Sequence, residues 1–380
     1  MSSHPVVVAV VDSGTNPYHE MFRAAGIRWQ DLGIENLSIQ RIALNESLDQ
    51  DVAQDHRFWQ SLARHELVAF EGTRIMAISF SKDTQHPLVL DQIGHGTATS
   101  SLVARTAPSV VVLMVQVDGN FCAPDTSCLV SPTMAEAMQW VAEQPWISVV
   151  SASLSIPTNT PDSAALHPEV AAYIAATKLA AQSGKLIVNA AGNLVVPPLT
   201  DYYNGPPWVI DVGGFESSPG GERLDASKGV DVVANFTEYG ASPDSTNELA
   251  YHAGTSMATP IVSGVLGEAW AQLARTGTLP TNEAHALREA LNASARPMSP
   301  TDWRPLSGPT NNTMTNVLSP TVPVLLGAAQ EGWGYVTAET TARIVTCVQG
   351  GACGSPSPID AAYQMQWQGA RERYWDEMAP

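Results

Sequence analysis

The feature that most constrains this chain is a set of short, near-continuous apolar runs: VVVAVV at 6–11, VVVLMVQV at 110–117, WISVVSAS at 146–153, KLIVNAAG at 185–192, WVIDVGG at 208–214 and VDVVANF at 230–236. A strand with one face in water alternates apolar and polar residues, whereas a strand covered on both faces does not. Helix candidates lie between and after these runs, near 97–105, 133–143, 166–183, 257–275 and 281–294. The rhythm predicts an α/β fold, a doubly wound, mostly parallel sheet with helices on both faces. In such a sheet the functional crevice opens at the carboxyl ends of the strands. Two stretches break the rhythm. Residues 27–90 are polar, with NESLDQDVAQD in their midst, and read as a large excursion, while 297–331 is rich in Pro, Thr, Asn and Ser and reads as a long surface loop.

With 380 residues and 44% apolar content, the chain can bury a sizeable core. Its formal charge of -18 does not come from an excess of acid, because charged residues make up only 15%, against roughly 25% in average globular proteins. It comes from scarce lysine: only Lys82, Lys178, Lys185 and Lys228 are present. With no basic patch to neutralise phosphates, nucleic acid is not an expected partner. The longest early apolar run is closed by Asp12 and is too short for a membrane span or the core of a signal peptide, so no membrane partner is expected either.

The cysteines fall into two C-x5-C pairs, Cys122 with Cys128 and Cys347 with Cys353, both in Gly-, Pro- or Ser-bearing segments. Local bridges within each pair are the expectation, although other connectivities are open. Zinc is disfavoured, since the spacing exceeds the usual two to four residues and no histidine flanks either pair. Disulfides point to an extracellular or oxidising site, whereas the lack of a visible targeting segment points to the cytoplasm. Localisation stays open at this level.

Three signals that are weak singly gain weight together. Asp12 closes the first run before Ser13 and Gly14, and alone would be a turn aspartate. His95 sits in GHGT ahead of a small-residue helix, and alone would be a cap or surface histidine. Ser256, in GTSMATP, opens another helix, where serine is a common cap; Pro260 is expected early enough in that helix to displace no intrahelical hydrogen bond. Nucleophilic hydrolysis needs a hydroxyl, a base within reach and a carboxylate that fixes the base's tautomer. Each of the three has a glycine within two residues. Asn193, closing NAAGN, reads in isolation as an asparagine in a left-handed turn after a strand.

On the motifs VAVVDSG, GHGT and GTSMATP, the chain resembles the subtilisin-like serine peptidases, whose Asp, His, Ser order it shares. SASLS, VNAAGN, PPWVIDVGG and GWGYVTAETTARIV extend the resemblance over most of the chain. It implies a serine endopeptidase acting through an acyl-enzyme on Ser256, with His95 as general base and acid, Asp12 orienting it and Asn193 in the oxyanion hole. Ser153, Leu154 and Ser155 would pair with a peptide or protein substrate. The resemblance further implies a catalytic domain over 1–346 interrupted by the two excursions, a tail over 347–380, a monomer, and no catalytic cofactor. Structural calcium is common in the family, but no segment here marks its ligands.

The chain also departs from the family. Ser155 and Ile156 stand where many members carry two glycines, which predicts a narrowed first pocket and small or medium side chains before the cut. Ala98 and Thr99 follow GHGT where a His-Val pair or similar is common. The Asp-to-His spacing, 95 − 12 = 83, is long, and no inhibitory propeptide is visible. A dedicated processing protease for one precursor peptide is therefore an alternative, as is a non-catalytic scaffold that kept the fold. Activity on casein against activity on one short peptide separates the broad from the dedicated enzyme. An α/β-hydrolase would need Gly-x-Ser-x-Gly, which fails at Ala258, and its acid and histidine after the serine.

Overall fold

The structure, a computed structural model, describes residues 5–45, 47–118, 131–154, 168–193, 206–218, 221–225, 230–296 and 332–353. Its centre is a ten-stranded sheet. The strands are β1 (Val7–Asp12), β2 (Ser38–Gln40), β3 (Val68–Phe70), β4 (Ile75–Ser79), β5 (Val111–Gln116), β6 (Ile147–Ala152), β7 (Leu186–Ala190), β8 (Val209–Ser218), β9 (Gly221–Asp225) and β10 (Val232–Asn235). Along the sheet the order is β10-β8-β7-β6-β1-β5-β4-β3-β2, with β9 paired to β8. The pairs from β10 through β4 are parallel; β3 runs antiparallel to β4, and β9 antiparallel to β8.

Helices cover both faces, which is why the strand sequences do not alternate. In β1, Val8 and Val10 enter the layer built with α3 (His95–Thr106), α6 (Thr255–Thr276), α7 (Glu283–Ser294) and α8 (Thr340–Val348). Val7, Ala9 and Val11 enter the opposite layer, with α4 (Pro132–Glu143) and α5 (Pro168–Gln182). Every residue of β1 is buried, so a polar substitution of either parity loses an apolar contribution of roughly 1.5–3 kcal/mol. The doubly wound α/β reading holds. All the expected helices are present, each with ends within two residues of its expected position.

The polar stretch 27–90 holds more structure than its composition suggests. It carries α1 (Leu48–Gln54), α2 (His56–Ser61) and the strands β2, β3 and β4, which extend the sheet beyond β5. β3 and β4 are fully buried, but they are too short to stand out against polar flanks. The stretch is clasped to the segment after β1: Tyr18 Oη donates to Asp55 Oδ2 at 3.0 Å and accepts from Trp59 Nε1 at 2.7 Å. Outside the main sheet, β11 (Thr237–Ala241) and β12 (Leu249–Ala253) form an antiparallel hairpin that leads into α6.

Cys347, in the last turn of α8, is bridged to Cys353, with Cα atoms 4.6 Å apart. The other pair, Cys122 and Cys128, lies outside the described residues. Alkylation of native, unreduced protein is expected to spare Cys347 and Cys353; labelling of both would mean that the bridge is open in solution. Among the described residues, no helix is long and apolar enough to cross a membrane.

Candidate active site

Asp12 is the last residue of β1 and only 2% exposed. Its carboxylate is held from several sides. Ser13 N–H donates to Oδ1 at 2.7 Å, Thr99 Oγ1 donates to Oδ2 at 3.0 Å, and His95 Nδ1 lies 2.8 Å from Oδ1 and 3.0 Å from Oδ2. A buried carboxylate is costly unless its lone pairs are satisfied, and here each oxygen has a donor besides the imidazole. His95 is the first residue of α3, and its side chain is 20% exposed.

The turn that presents His95 is organised by Asp91. One oxygen accepts from Ser13 Oγ at 2.9 Å, Ile93 N–H at 3.0 Å and Gly94 N–H at 2.9 Å; the other accepts from Thr97 N–H at 2.7 Å and Thr97 Oγ1 at 2.8 Å. The carboxylate thus satisfies first-turn N–H groups that have no intrahelical acceptor. Ser13 Oγ in turn accepts from Gly96 N–H at 2.9 Å. Gly96 is required here by close approach, because a Cβ would meet the Gly14 carbonyl oxygen at 2.2 Å. The Asp91 to His95 spacing, which can resemble a metal pair, is therefore that of a loop-shaping carboxylate.

Burial pushes the His95 imidazole down, but the charge of Asp12, its hydrogen bonds and the more distant charge of Asp91 outweigh it, so the net shift is upward. Removing the Asp91 charge must therefore lower the His95 pKa. Asp91→Asn is expected to move the acid limb of kcat/KM to lower pH. It should also cost about 1–3 kcal/mol of stability, since an amide turned towards Thr97 cannot accept its two donors. Thermal melts and a pH profile check both; an acid limb that moves upward would contradict the electrostatic account. His252, on β12, is lowered by burial first and then by the charge of His95, with Asp91 opposing.

Ser256 is the second residue of α6, and its hydroxyl donates to the Ser153 carbonyl at 3.3 Å. Ser153 Oγ donates back to the Ser256 carbonyl at 2.8 Å. That second hydrogen bond corrects the expectation for Pro260. The helix begins at Thr255, so the missing Pro260 N–H would have bonded Ser256 O, and the Ser153 hydroxyl takes its place. Ser153 directly follows β6 and is buried; Leu154 is partly buried and packs on the layer that holds α4 and α5. Ser155, Ile156 and the pocket expectation built on them lie outside the described residues.

Asn193 follows β7 and is exposed. Its Oδ1 accepts from Thr255 N–H at 2.8 Å and Thr255 Oγ1 at 2.9 Å. With the oxygen engaged twice, the amide is oriented and its Nδ2 hydrogens point away from Thr255. The left-handed conformation falls on Gly192, at φ 91°, and not on Asn193. Gly254, at φ 148°, clears the space beside this amide, since a Cβ there would lie 3.2 Å from Asn193 Nδ2. Asp12, His95, Ser153, Asn193 and Ser256 thus gather at the carboxyl ends of neighbouring strands and the N-terminus of α6. Sequence reasoning missed the contact of Thr99 with Asp12 and the proximity of His252 to His95; the four-residue step from His95 to Thr99 was the one readable signal. Among the described residues, no group of three or more His, Cys, Asp or Glu side chains converges to hold a metal ion.

An α/β sheet of this order, with these motifs at its carboxyl edge, is that of a protein-cleaving hydrolase. The chain matches the Subtilase family over residues 3–323 and belongs to it; it is a serine endopeptidase acting on peptide or protein substrates. Among solved structures it is similar to the prenylagaramide maturation protease PagA, at 18% identity and TM-score 0.49, over 90% of this chain and 94% of that one. It is also similar to a mutant of the protease domain of PatA, at 18% identity and TM-score 0.51, over 92% of this chain and 98% of that one. The second likeness is one of fold. No curated protein sequence matches the chain.

Proposed function

We propose that this subtilase cleaves peptide bonds through an acyl-enzyme on Ser256. The observation that carries the reading is the His95 Nδ1 contact with buried Asp12 at 2.8 Å, which reserves Nε2 for the nucleophile. The Ser256 hydroxyl turns from the Ser153 carbonyl to His95, gives Nε2 its proton and attacks the scissile carbonyl carbon. Asn193 Nδ2 and the Ser256 N–H, at the positive end of α6, receive the oxyanion. The carbon–nitrogen bond then breaks and the amine takes the proton from His95. Water, deprotonated by the same imidazole, hydrolyses the ester and restores Ser256.

Ser153 and Leu154, with Ser155, form the segment along which the substrate lies. The reading takes the enzyme to act as a monomer, with no nucleic acid or membrane as partner. The test is a serine-directed phosphonate followed by peptide mapping. Label on Ser256, blocked by prior heating, is the expected result; label on another serine would move the nucleophile.

A further inference from the structure

We infer that Thr99 is a positioning residue of the catalytic centre, acting on His95 through Asp12; this rests on the proposed Asp12, His95 and Ser256 roles. His95 and Thr99 are four residues apart on α3 and so project from one face of the helix. Both reach back to the same carboxylate across the sheet edge. The Thr99 hydroxyl meets Asp12 Oδ2 at 3.0 Å, on the oxygen that does not accept from Ser13. Thr99 is fully buried, so no solvent hydroxyl is at hand to replace its own.

A threonine inside a helix commonly returns its proton to a carbonyl one turn back, and Gly96 O is available at 3.2 Å. The two acceptors compete for one proton. Asp12 is both nearer and charged, and charge-assisted hydrogen bonds are roughly twice as strong as neutral ones. The hydroxyl therefore does two things for the carboxylate. It fixes the plane in which Asp12 meets His95 Nδ1, and it draws off part of the negative charge that would otherwise hold the imidazolium more tightly. The general base is in this way kept from becoming too basic to release its proton.

The experiment compares Thr99→Val, which keeps the shape and removes the hydroxyl, with Thr99→Ser, which keeps the hydroxyl. The readouts are kcat/KM against pH on one fluorogenic peptide and a thermal melt. Thr99→Val is expected to lose about tenfold in kcat/KM and to move its acid limb to higher pH, while Thr99→Ser keeps the wild-type limb. A Thr99→Val profile that superimposes on wild type, whatever its melting temperature, overturns the inference, as does an equal shift in both variants. If Thr99→Val does not fold, Thr99→Ala serves as the variant without a hydroxyl, on the same criteria. Ser256→Ala is run alongside: its retaining activity would fail the underlying triad, whereas an inactive Ser256→Ala with an unshifted Thr99→Val fails only the role of Thr99.

Discussion

Ser256→Ala is expected to lower kcat by roughly 10⁶-fold, the scale seen when the nucleophile of such a triad is removed. The substitution leaves His95 without its proposed nucleophile, and the hydrogen bond that it removes, from Ser256 Oγ to the Ser153 carbonyl at 3.3 Å, is weak. Folding should therefore be nearly unaffected, with stability within about 0.5 kcal/mol of wild type. The Ser153 hydroxyl still reaches the main-chain carbonyl of residue 256, so the first turn of α6 keeps its anchor. Hydrolysis persisting at about 1% of wild type or more, in protein free of contaminating protease, would require a different nucleophile. Residual catalysis from binding and the oxyanion donors lies far below that level.

Asn193→Ala is expected to lower kcat by roughly 10²–10³-fold with KM nearly constant, the magnitude for removal of an oxyanion donor. The structure sharpens this expectation. The Asn193 oxygen is occupied by Thr255 on both its N–H and its hydroxyl, so the side chain has only its amide hydrogens to offer a reacting group. Charge appears on the substrate oxygen only in the transition state, which is why the loss falls on kcat. The same substitution also strips an acceptor from two first-turn donors of α6. Asn193→Asp is the useful companion, because it keeps the acceptor and removes the donor. An Asn193→Asp enzyme with wild-type kcat would assign the side chain to holding α6 in place and not to the oxyanion.

What could be read in the sequence, and what could not, divides along physical lines. The central strands were legible because burial on both faces removes alternation, and β1, β5, β6, β7, β8 and β10 all lie within the apolar runs or begin in them. β3 and β4 escaped because three and five residues are too few to establish a pattern within polar flanks. The β11 and β12 hairpin escaped because its tyrosines, Tyr239 and Tyr251, are exposed, so its apolar residues do not report a core. Asp12, His95 and Ser256 were legible through glycine-bracketed motifs, since close backbone approach leaves a trace in composition. The residues that hold them leave no such trace. Thr99 meets Asp12 across 87 positions of chain, and Ser153 meets Ser256 across 103. Such partners depend on which strands become neighbours, which no local pattern encodes. Pro260 was misjudged for a related reason: its compensation comes from the Ser153 hydroxyl, just beyond β6.

The polar side chains buried in five neighbouring strands of the sheet are not scattered. Ser79, Gln116, Asp12, Ser151 and Asn189 sit at the last or next-to-last position of β4, β5, β1, β6 and β7, five adjacent strands. The sheet is therefore apolar at one end and polar at the other, and a charge placed on its polar rim is backed by hydrocarbon. Fields along that rim are screened from one side only, so a single substitution there can retune proton affinities while the packing that holds the molecule together goes untouched. In this architecture durability and reactivity occupy separate bands of the same strands.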